Sequence, residues 1–225
     1  METVARPVSA IPPKRILVHI CCGPCSVAPL KYFLEGSAEV CGFFHNPNIH
    51  PKKEFLARLD AAKTLARLLS LNVIFDVEYR PLPFIKGQKA SSGDAFVKHP
   101  PKDSRCLYCY ATRLEETAKA AVANGFDAFS SSLLYSTSQR HDEIASLGVD
   151  LGRKYGIIFY YKDFRAFWQA GLDESKALGL YRQKYCGCVY SRIERYADAK
   201  PKRSVRGLNE ISPSPLSPPV KGGEV

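Results

Sequence analysis

Short apolar runs alternate with longer amphipathic segments along the chain. Continuous apolar runs predict buried strands, and apolar residues that recur every three or four positions predict helices. The clearest helix covers 52–69, where Phe55, Leu59, Ala62 and Leu65 lie on one stripe. The predicted strands are 16–20, 39–44, 72–77, 126–130 and 157–161. The predicted helices are 25–34, 52–69, 106–124, 139–155, 163–180 with a break at Gly171, and a last one ending near Ala199.

This alternation favours an α/β fold with a doubly wound parallel sheet. A chain of 225 residues is expected to form a single domain. We expect a flexible leader over 1–13, one catalytic domain over 14–199 and a disordered, proline-rich tail over 200–225. The segment 79–105 contains many prolines and glycines and is predicted to be irregular, as a functional lid or a disordered insert.

Net charge and hydropathy exclude few classes of protein. The net charge of +10 fits a polyanionic partner such as nucleic acid, without identifying one. No apolar run is long enough to span a membrane, and we find no signal peptide. The expected location is therefore the reducing cytoplasm, where clustered cysteines favour metal binding or redox catalysis over structural disulfides.

The cysteines carry the strongest chemical signal. Seven of the eight fall into three groups. These groups are Cys21, Cys22 and Cys25; Cys106 and Cys109; and Cys186 and Cys188. Each group lies at a predicted junction between a loop and a helix, where the loops of a doubly wound fold converge. The eighth, Cys41, lies inside a predicted strand and is interpreted as a core residue.

The number of thiols limits the kind of metal centre. A structural zinc site closes with four ligands, and one 4Fe–4S cluster also takes four cysteines. Seven thiols exceed both numbers, which indicates a second metal or free catalytic thiols beside the first site. Thiolates favour iron–sulfur clusters, zinc or Cu(I) over hard cations, so iron and zinc both remain open on spacing alone.

Basic residues lie between two tyrosines over 181–185, next to the last cysteine group. Such a segment can stack a nucleobase and hold phosphates, or it can be an ordinary amphipathic turn.

Several polar residues follow predicted strands, and each alone is more often a cap or a surface residue than a functional one. Their shared placement at strand ends strengthens them as a set.

Four motifs together resemble one known family. They are His19-x-Cys21-Cys22-x-Pro24-Cys25, Asn46-Pro47-Asn48-Ile49-His50-Pro51, Arg105-Cys106-x-x-Cys109-Tyr110-x-x-Arg113 and Tyr181-Arg182-Gln183-x-Tyr185-Cys186-Gly187-Cys188. In this order they resemble QueH-type epoxyqueuosine reductases, and the similarity covers about 14–199.

The resemblance implies a cobalamin-independent enzyme with an adenine-nucleotide-hydrolase-like (HUP, Rossmann-like) fold. Its reaction would be the reduction of epoxyqueuosine to queuosine, the last step of queuosine biosynthesis, at the wobble base of tRNAs for Tyr, His, Asn and Asp, which have GUN anticodons. It implies a 4Fe–4S cluster beside a separately coordinated mononuclear iron, with zinc possible at that second position. Ferredoxin or flavodoxin would donate the electrons, and the lone metal would activate the epoxide oxygen as a Lewis acid.

The resemblance also implies roles for individual residues. All seven clustered cysteines would be metal ligands. His19 and His50 are the candidate proton donors. The expected substrate-binding residues are Asn46, Asn48, Arg113, Gln139, Arg182 and Tyr185.

Three other readings compete with this one. A zinc-stapled RNA-binding module, that is, an RNA-binding domain whose fold is held together by zinc, would bind metal without redox activity. A tRNA-modifying ATP pyrophosphatase of the same fold would need a Ser-Gly-Gly-x-Asp-Ser loop, and this chain has Cys-Cys-Gly-Pro-Cys-Ser at that place. A thiol–disulfide oxidoreductase could use Cys22 and Cys25, but it would not need the four thiols of the two other groups.

Overall fold

Five parallel strands form the centre of the molecule in a computed structural model that describes residues 13–36 and 38–197. The strands are β1 (Arg15–His19), β2 (Glu39–Phe44), β3 (Asn72–Phe75), β4 (Ala128–Ser131) and β5 (Ile158–Phe159). Their order in the sheet is β3-β2-β1-β4-β5. The chain first moves outward from β1 to β3 and then returns to β4 on the other side of β1. The topological switch point therefore lies between β1 and β4, where doubly wound folds place their ligands.

Seven α-helices flank the sheet in the described part of the chain. They are α1 (Gly23–Glu35), α2 (Lys52–Leu68), α3 (Pro81–Ala90), α4 (Lys102–Ala123), α5 (His141–Tyr155), α6 (Trp168–Ala177) and α7 (Val189–Ala197). Helix α1 packs with α2, and α4 packs with α5. Right-handed crossovers place these two pairs on opposite faces of the sheet. The predicted doubly wound α/β fold in a single domain is confirmed.

The central strands are apolar because both of their faces are covered. Ile16, Leu17 and Val18 in β1 are fully buried, and so are Ala128 and Phe129 in β4. A strand covered by helices on both faces has no solvent side and reads as a continuous apolar run. All five predicted strands are present, with β5 shorter than predicted. Cys41 in β2, interpreted from the sequence as a core residue, is only half-buried and packs against the core.

The prediction of an irregular segment over 79–105 is wrong in two places. Helix α3 occupies Pro81–Ala90, and α4 begins at Lys102 rather than near Cys106. Proline is well tolerated in the first turn of a helix, so Pro81 starts α3 instead of breaking it. The ring of Phe84 packs against Tyr108 of α4, with the ring centroids 5.4 Å apart. Tertiary packing of this kind outweighs the local glycine and proline signals.

Other boundaries differ by smaller amounts. The break predicted at Gly171 is absent, because α6 continues through this residue. A Cβ on Gly171 would lie 2.7 Å from the hydroxyl oxygen of Tyr135, so glycine serves close packing there. Helix α1 begins at Gly23, two residues earlier than predicted, and Cys22 caps it.

Some predictions fall outside the described residues. The tail over 200–225, the end of the last helix near Ala199 and residues 1–12 of the leader belong to this group. Among the described residues, no helix combines the length and apolar character that a membrane crossing needs.

Two glycines with opposite surroundings give a test of this packing. In Gly152→Ala, the new Cβ would lie 2.7 Å from the backbone oxygen of Ile157, so we expect a loss of about 1–3 kcal/mol in the free energy of unfolding. In Gly36→Ala, φ is −74° and the nearest atoms are 3.5 Å away, so we expect a gain of about 0.4–1 kcal/mol. Urea unfolding of both variants measures the difference. Equal effects would contradict the described packing between α5 and β5.

Candidate metal centre

The turn between β1 and α1 holds the first cysteine group at the switch point of the sheet. The Sγ atoms of Cys21, Cys22 and Cys25 all lie within 4.8 Å of one another. The backbone N–H of Cys25 donates to Cys22 Sγ at 3.4 Å, so this sulfur acts as the N-cap of α1. The backbone N–H of Cys21 donates to Ser132 Oγ at 2.9 Å, which ties the turn to the end of β4. Three soft donors therefore converge at a helix N-terminus, which favours negative charge.

The other two cysteine groups face the same space. A cavity of about 550 Å³ lies beyond the carboxyl ends of the strands. Its walls include six cysteines from all three groups: Cys21, Cys25, Cys106, Cys109, Cys186 and Cys188. The seventh, Cys22, is fully buried beside Cys21, with the two sulfurs 3.8 Å apart. The structure thus brings all seven predicted ligands to one place.

Gly187 shapes the turn that carries Cys186 and Cys188. Its φ of 109° lies in a region that disfavours residues with a side chain. A Cβ there would also come within 3.1 Å of Ile49 and 3.2 Å of Arg58. The backbone N–H of His50 donates to the Gly187 oxygen at 2.9 Å. The turn is therefore held against the loop that follows β2, and only glycine fits between them.

Arg58 on α2 connects the two sides of the site. The residue is only 2% exposed, and its Nε donates to Glu54 Oε1 at 2.7 Å. Its two other nitrogens donate to the backbone oxygens of Tyr185 at 2.8 Å and Cys186 at 3.1 Å. Burial opposes the charge of Arg58, but Cys22 and Glu54 raise its pKa above the ordinary value. A fixed cation therefore stands beside the thiols.

The first three thiols share their protons unequally. Hydrogen bonds from the thiols of Cys22 and Cys25 hold the pKa of Cys21 well below its ordinary value. Burial raises the pKa of Cys22, and proton sharing with Cys21 and Cys22 raises the pKa of Cys25. In the fourth helix, burial raises the pKa of Cys109 to about 12. Crowded, buried thiols that resist ionisation fit a site where a soft cation replaces their protons.

Arg113 is a second buried cation at the cavity wall. Its Nε donates to the backbone oxygen of Cys109 at 3.2 Å. Burial works against the charge, but Cys109 and Cys21 raise the pKa of Arg113 above its ordinary value. Its place between two cysteine groups suits a site that gathers negative charge.

The two predicted proton donors lie outside the lining of the cavity. His19 is fully buried, its Nε2 lies 3.2 Å from the backbone oxygen of His45, and its Nδ1 lies 3.0 Å from Ser131 Oγ. Burial lowers the pKa of His19 to about 3, so its ring is neutral near pH 7. His50 Nδ1 is hydrogen-bonded to the Tyr79 hydroxyl at 2.6 Å, and burial also lowers the pKa of His50. Neither histidine is among the residues that line the cavity.

The predicted substrate-binding residues divide into two sets. Those that line the cavity are Asn48, Arg113, Gln139 and Tyr185. Asn46 and Arg182 do not line it. Asn46 Nδ2 donates to the Ile20 oxygen at 2.8 Å and thereby fixes the end of β1, whereas Arg182 is exposed.

Sequence reasoning missed three polar residues that form hydrogen bonds to the cysteine groups. Arg58 lies on α2, where the sequence pattern assigned a role only to the apolar residues. Gln88, 1% exposed, donates to Cys188 Sγ at 3.7 Å from a helix that was predicted to be irregular. Gln183 donates to two sulfurs of the first group. Only Gln183 had a sequence signal, since it lies within the motif that ends in Cys188.

The fold and the site together define an α/β protein with a cysteine-lined cavity, suited to metal binding, at the switch point of a parallel sheet. A family model described as Epoxyqueuosine reductase QueH matches residues 16–194. The chain belongs to this family, and it is an oxidoreductase, an epoxyqueuosine reductase. The family resemblance predicted from the four motifs is thereby confirmed.

Individual relatives agree with the family match. A protein named Epoxyqueuosine reductase QueH from Dehalococcoides mccartyi is 35% identical over 182 residues, which cover 81% of this chain and 94% of the relative. A protein of the same name from Thermotoga maritima is 37% identical over 182 residues, or 80% of this chain and 91% of the relative. One from Staphylococcus epidermidis is 32% identical over 193 residues, or 83% and 79%.

The Gly187 turn yields a direct test of the site. We expect Gly187→Ala to lower the amount of metal that the purified protein retains, because about 1–3 kcal/mol of backbone strain would displace Cys186 and Cys188. Gly179→Ala is the matched control, since Gly179 also has a positive φ, 63°, but nothing lies within 4 Å of its Cβ position. Metal analysis after anaerobic purification compares the two variants. Full metal content in Gly187→Ala would contradict the role of this turn.

Proposed function

We propose that this chain reduces epoxyqueuosine to queuosine at the wobble position of tRNAs with GUN anticodons, those for Tyr, His, Asn and Asp. The observation that carries the proposal is that six cysteines line one cavity, with a seventh directly beside them, in a member of the epoxyqueuosine reductase family. Because the substrate is tRNA, we place the enzyme in the cytoplasm. The proposed catalytic domain covers 14–199.

We further propose that the seven clustered cysteines hold a 4Fe–4S cluster and a separate mononuclear iron, a position that could also take zinc. Seven thiols are three more than one cluster uses, and an all-sulfur donor set suits both groups. When bound, these metals would supply single electrons and a Lewis acid for the epoxide oxygen. The proposed electron source is ferredoxin or flavodoxin.

The size and the polar lining of the cavity suit a nucleobase that has left its stack in the tRNA. A cavity of about 550 Å³ is within the usual range for sites that enclose small molecules. Asn48 Oδ1 is buried and has no hydrogen-bond partner among the described residues, so it can accept a hydrogen bond from the substrate. Gln139 Oε1 accepts from the Tyr110 hydroxyl at 2.9 Å, which fixes the orientation of its amide at the wall.

Basic side chains at the mouth of the cavity suit the tRNA backbone. The lining includes Lys102, Arg140 and Lys184. Arg140 also forms an ion pair with Asp103 at 3.0 Å, between the starts of α5 and α4. Contacts from lysine and arginine to phosphates give affinity without reading the base, so the base itself must be recognised deeper in the cavity.

His19 and His50 remain our proposed sources of protons for the epoxide oxygen, which leaves as water after the uptake of two electrons and two protons. Because neither lines the cavity, each would deliver its proton through an intervening group such as water. His19 is neutral near pH 7 and held by two hydrogen bonds, so it would have to take up a proton before it could donate one. His50 is only half-buried, which leaves it the easier of the two to reprotonate from solvent.

Anaerobic purification followed by an activity assay tests the function. We expect brown protein that contains more iron than sulfide and that converts epoxyqueuosine to queuosine in tRNA when a ferredoxin or flavodoxin supplies electrons. Nucleoside analysis by mass spectrometry measures the conversion. Colourless protein that contains only zinc and lacks this activity would instead support the zinc-stapled RNA-binding module.

Single substitutions test the metal ligands. We expect Cys106→Ala and Cys188→Ala each to abolish turnover while the fold is retained, because each removes a thiol from the cavity wall. Cys41→Ala is the matched control, since Cys41 lies in β2 and is not part of the cavity lining. Circular dichroism monitors the fold. Full activity in either of the first two variants would remove that residue from the proposed set.

A further inference from the structure

The side chain of Gln183 makes two hydrogen bonds to sulfur. Its Nε2 lies 3.0 Å from Cys22 Sγ and 3.3 Å from Cys25 Sγ. A primary amide has two N–H groups, so one is available for each sulfur. Thiolates that bind a metal only accept hydrogen bonds, so the NH₂ end of the amide is the end that suits these cysteines as ligands. Gln183 is therefore arranged as a double donor toward the first cysteine group.

The rest of the fold does not explain this arrangement. Gln183 Oε1 is buried and has no hydrogen-bond partner among the described residues. The amide thus makes its hydrogen bonds to the two sulfurs rather than to the backbone of a neighbouring element. A glutamine that served only to fill the wall would gain more from pairing its oxygen as well, because an unpaired buried acceptor is costly.

The backbone around Gln183 is well anchored. The residue lies between Tyr181, whose hydroxyl donates to Glu54 Oε2 at 2.6 Å, and Tyr185, whose hydroxyl donates to the His50 oxygen at 2.6 Å. Arg58 also donates a hydrogen bond to the backbone oxygen of Tyr185. Because the segment is fixed on both sides of Gln183, its backbone is held within reach of the two sulfurs by the protein itself.

We propose that Gln183 is a positioning residue for a metal held by Cys22 and Cys25. Its two N–H groups fix the directions of the two sulfurs and withdraw negative charge from them. The inference rests on the proposed function, in that it requires these cysteines to be ligands. Hydrogen bonds to ligand sulfurs tune both the affinity for a metal and its reduction potential, and partners of this kind commonly change affinity by about 10- to 100-fold.

A cobalt titration tests this role without relying on turnover. Gln183→Met keeps the length of the side chain but removes both donors. We expect the metal-free variant, titrated anaerobically with Co²⁺, to bind about 10- to 100-fold more weakly and to show shifted thiolate-to-cobalt charge-transfer bands. The bands that disappear in Cys25→Ser identify the relevant site. Gln169→Met, at a solvent-facing glutamine on α6, is the matched control and should behave as the parent protein does.

The outcomes separate clearly. Co²⁺ affinity and band positions in Gln183→Met that match those of the parent would overturn the proposal. If this variant does not fold, Gln183→Asn replaces it, because its shorter amide cannot reach both sulfurs and should also weaken binding; parent-like binding in that variant would overturn the proposal as well. Failure of the parent protein to reduce epoxyqueuosine would instead count against the proposed function, whatever the cobalt titration shows.

Discussion

Crowding of buried thiols is the constraint on which the rest of the site depends. The sulfurs of Cys21, Cys22 and Cys25 lie within 4.8 Å of one another, and ionising more than one of them in a buried position is unfavourable. Positive charge and hydrogen-bond donors next to these sulfurs stabilise their ionised form. Arg58 stands beside Cys22, and the free N–H groups at the start of α1 face the same turn. These features lessen the cost of gathering negative charge, and a bound cation would remove most of what remains.

The topology explains how three cysteine groups that are far apart in sequence reach one cavity. The first group follows β1 directly, and the second lies in the first turns of α4, whose far end leads into β4. The third group follows no strand directly, and Arg58 and the loop after β2 hold its turn in place at the cavity. The third group therefore depends on tertiary contacts more than the other two do, and the positive φ of Gly187 is part of that dependence.

The sequence predicted those features that follow from local patterns. Buried parallel strands are continuous apolar runs, so β1 to β5 could be located, and clustered cysteines are rare enough to mark the site. The pattern failed where packing decides. Helix α3 forms despite Pro81, Pro83 and Gly87, because Phe84 and Tyr108 pack together. Arg58 and Gln88 could not be assigned to the site, because nothing local distinguishes a buried polar side chain from an exposed one on the same helix.

The segment over 181–185, in which two basic residues lie between two tyrosines, has a different role in the structure from the one that its composition suggested. Its composition suggested stacking on a nucleobase. In the structure, the ring of Tyr185 packs over Arg58, with 5.6 Å from the guanidinium carbon to the ring centroid, and its hydroxyl binds the His50 oxygen. Tyr185 is thus committed to holding the third cysteine group, although part of it still faces the cavity. Since Gln183 in the same segment binds two sulfurs, the segment serves the cysteines first, and its exposed basic residues, Arg182 and Lys184, are what remain for phosphates.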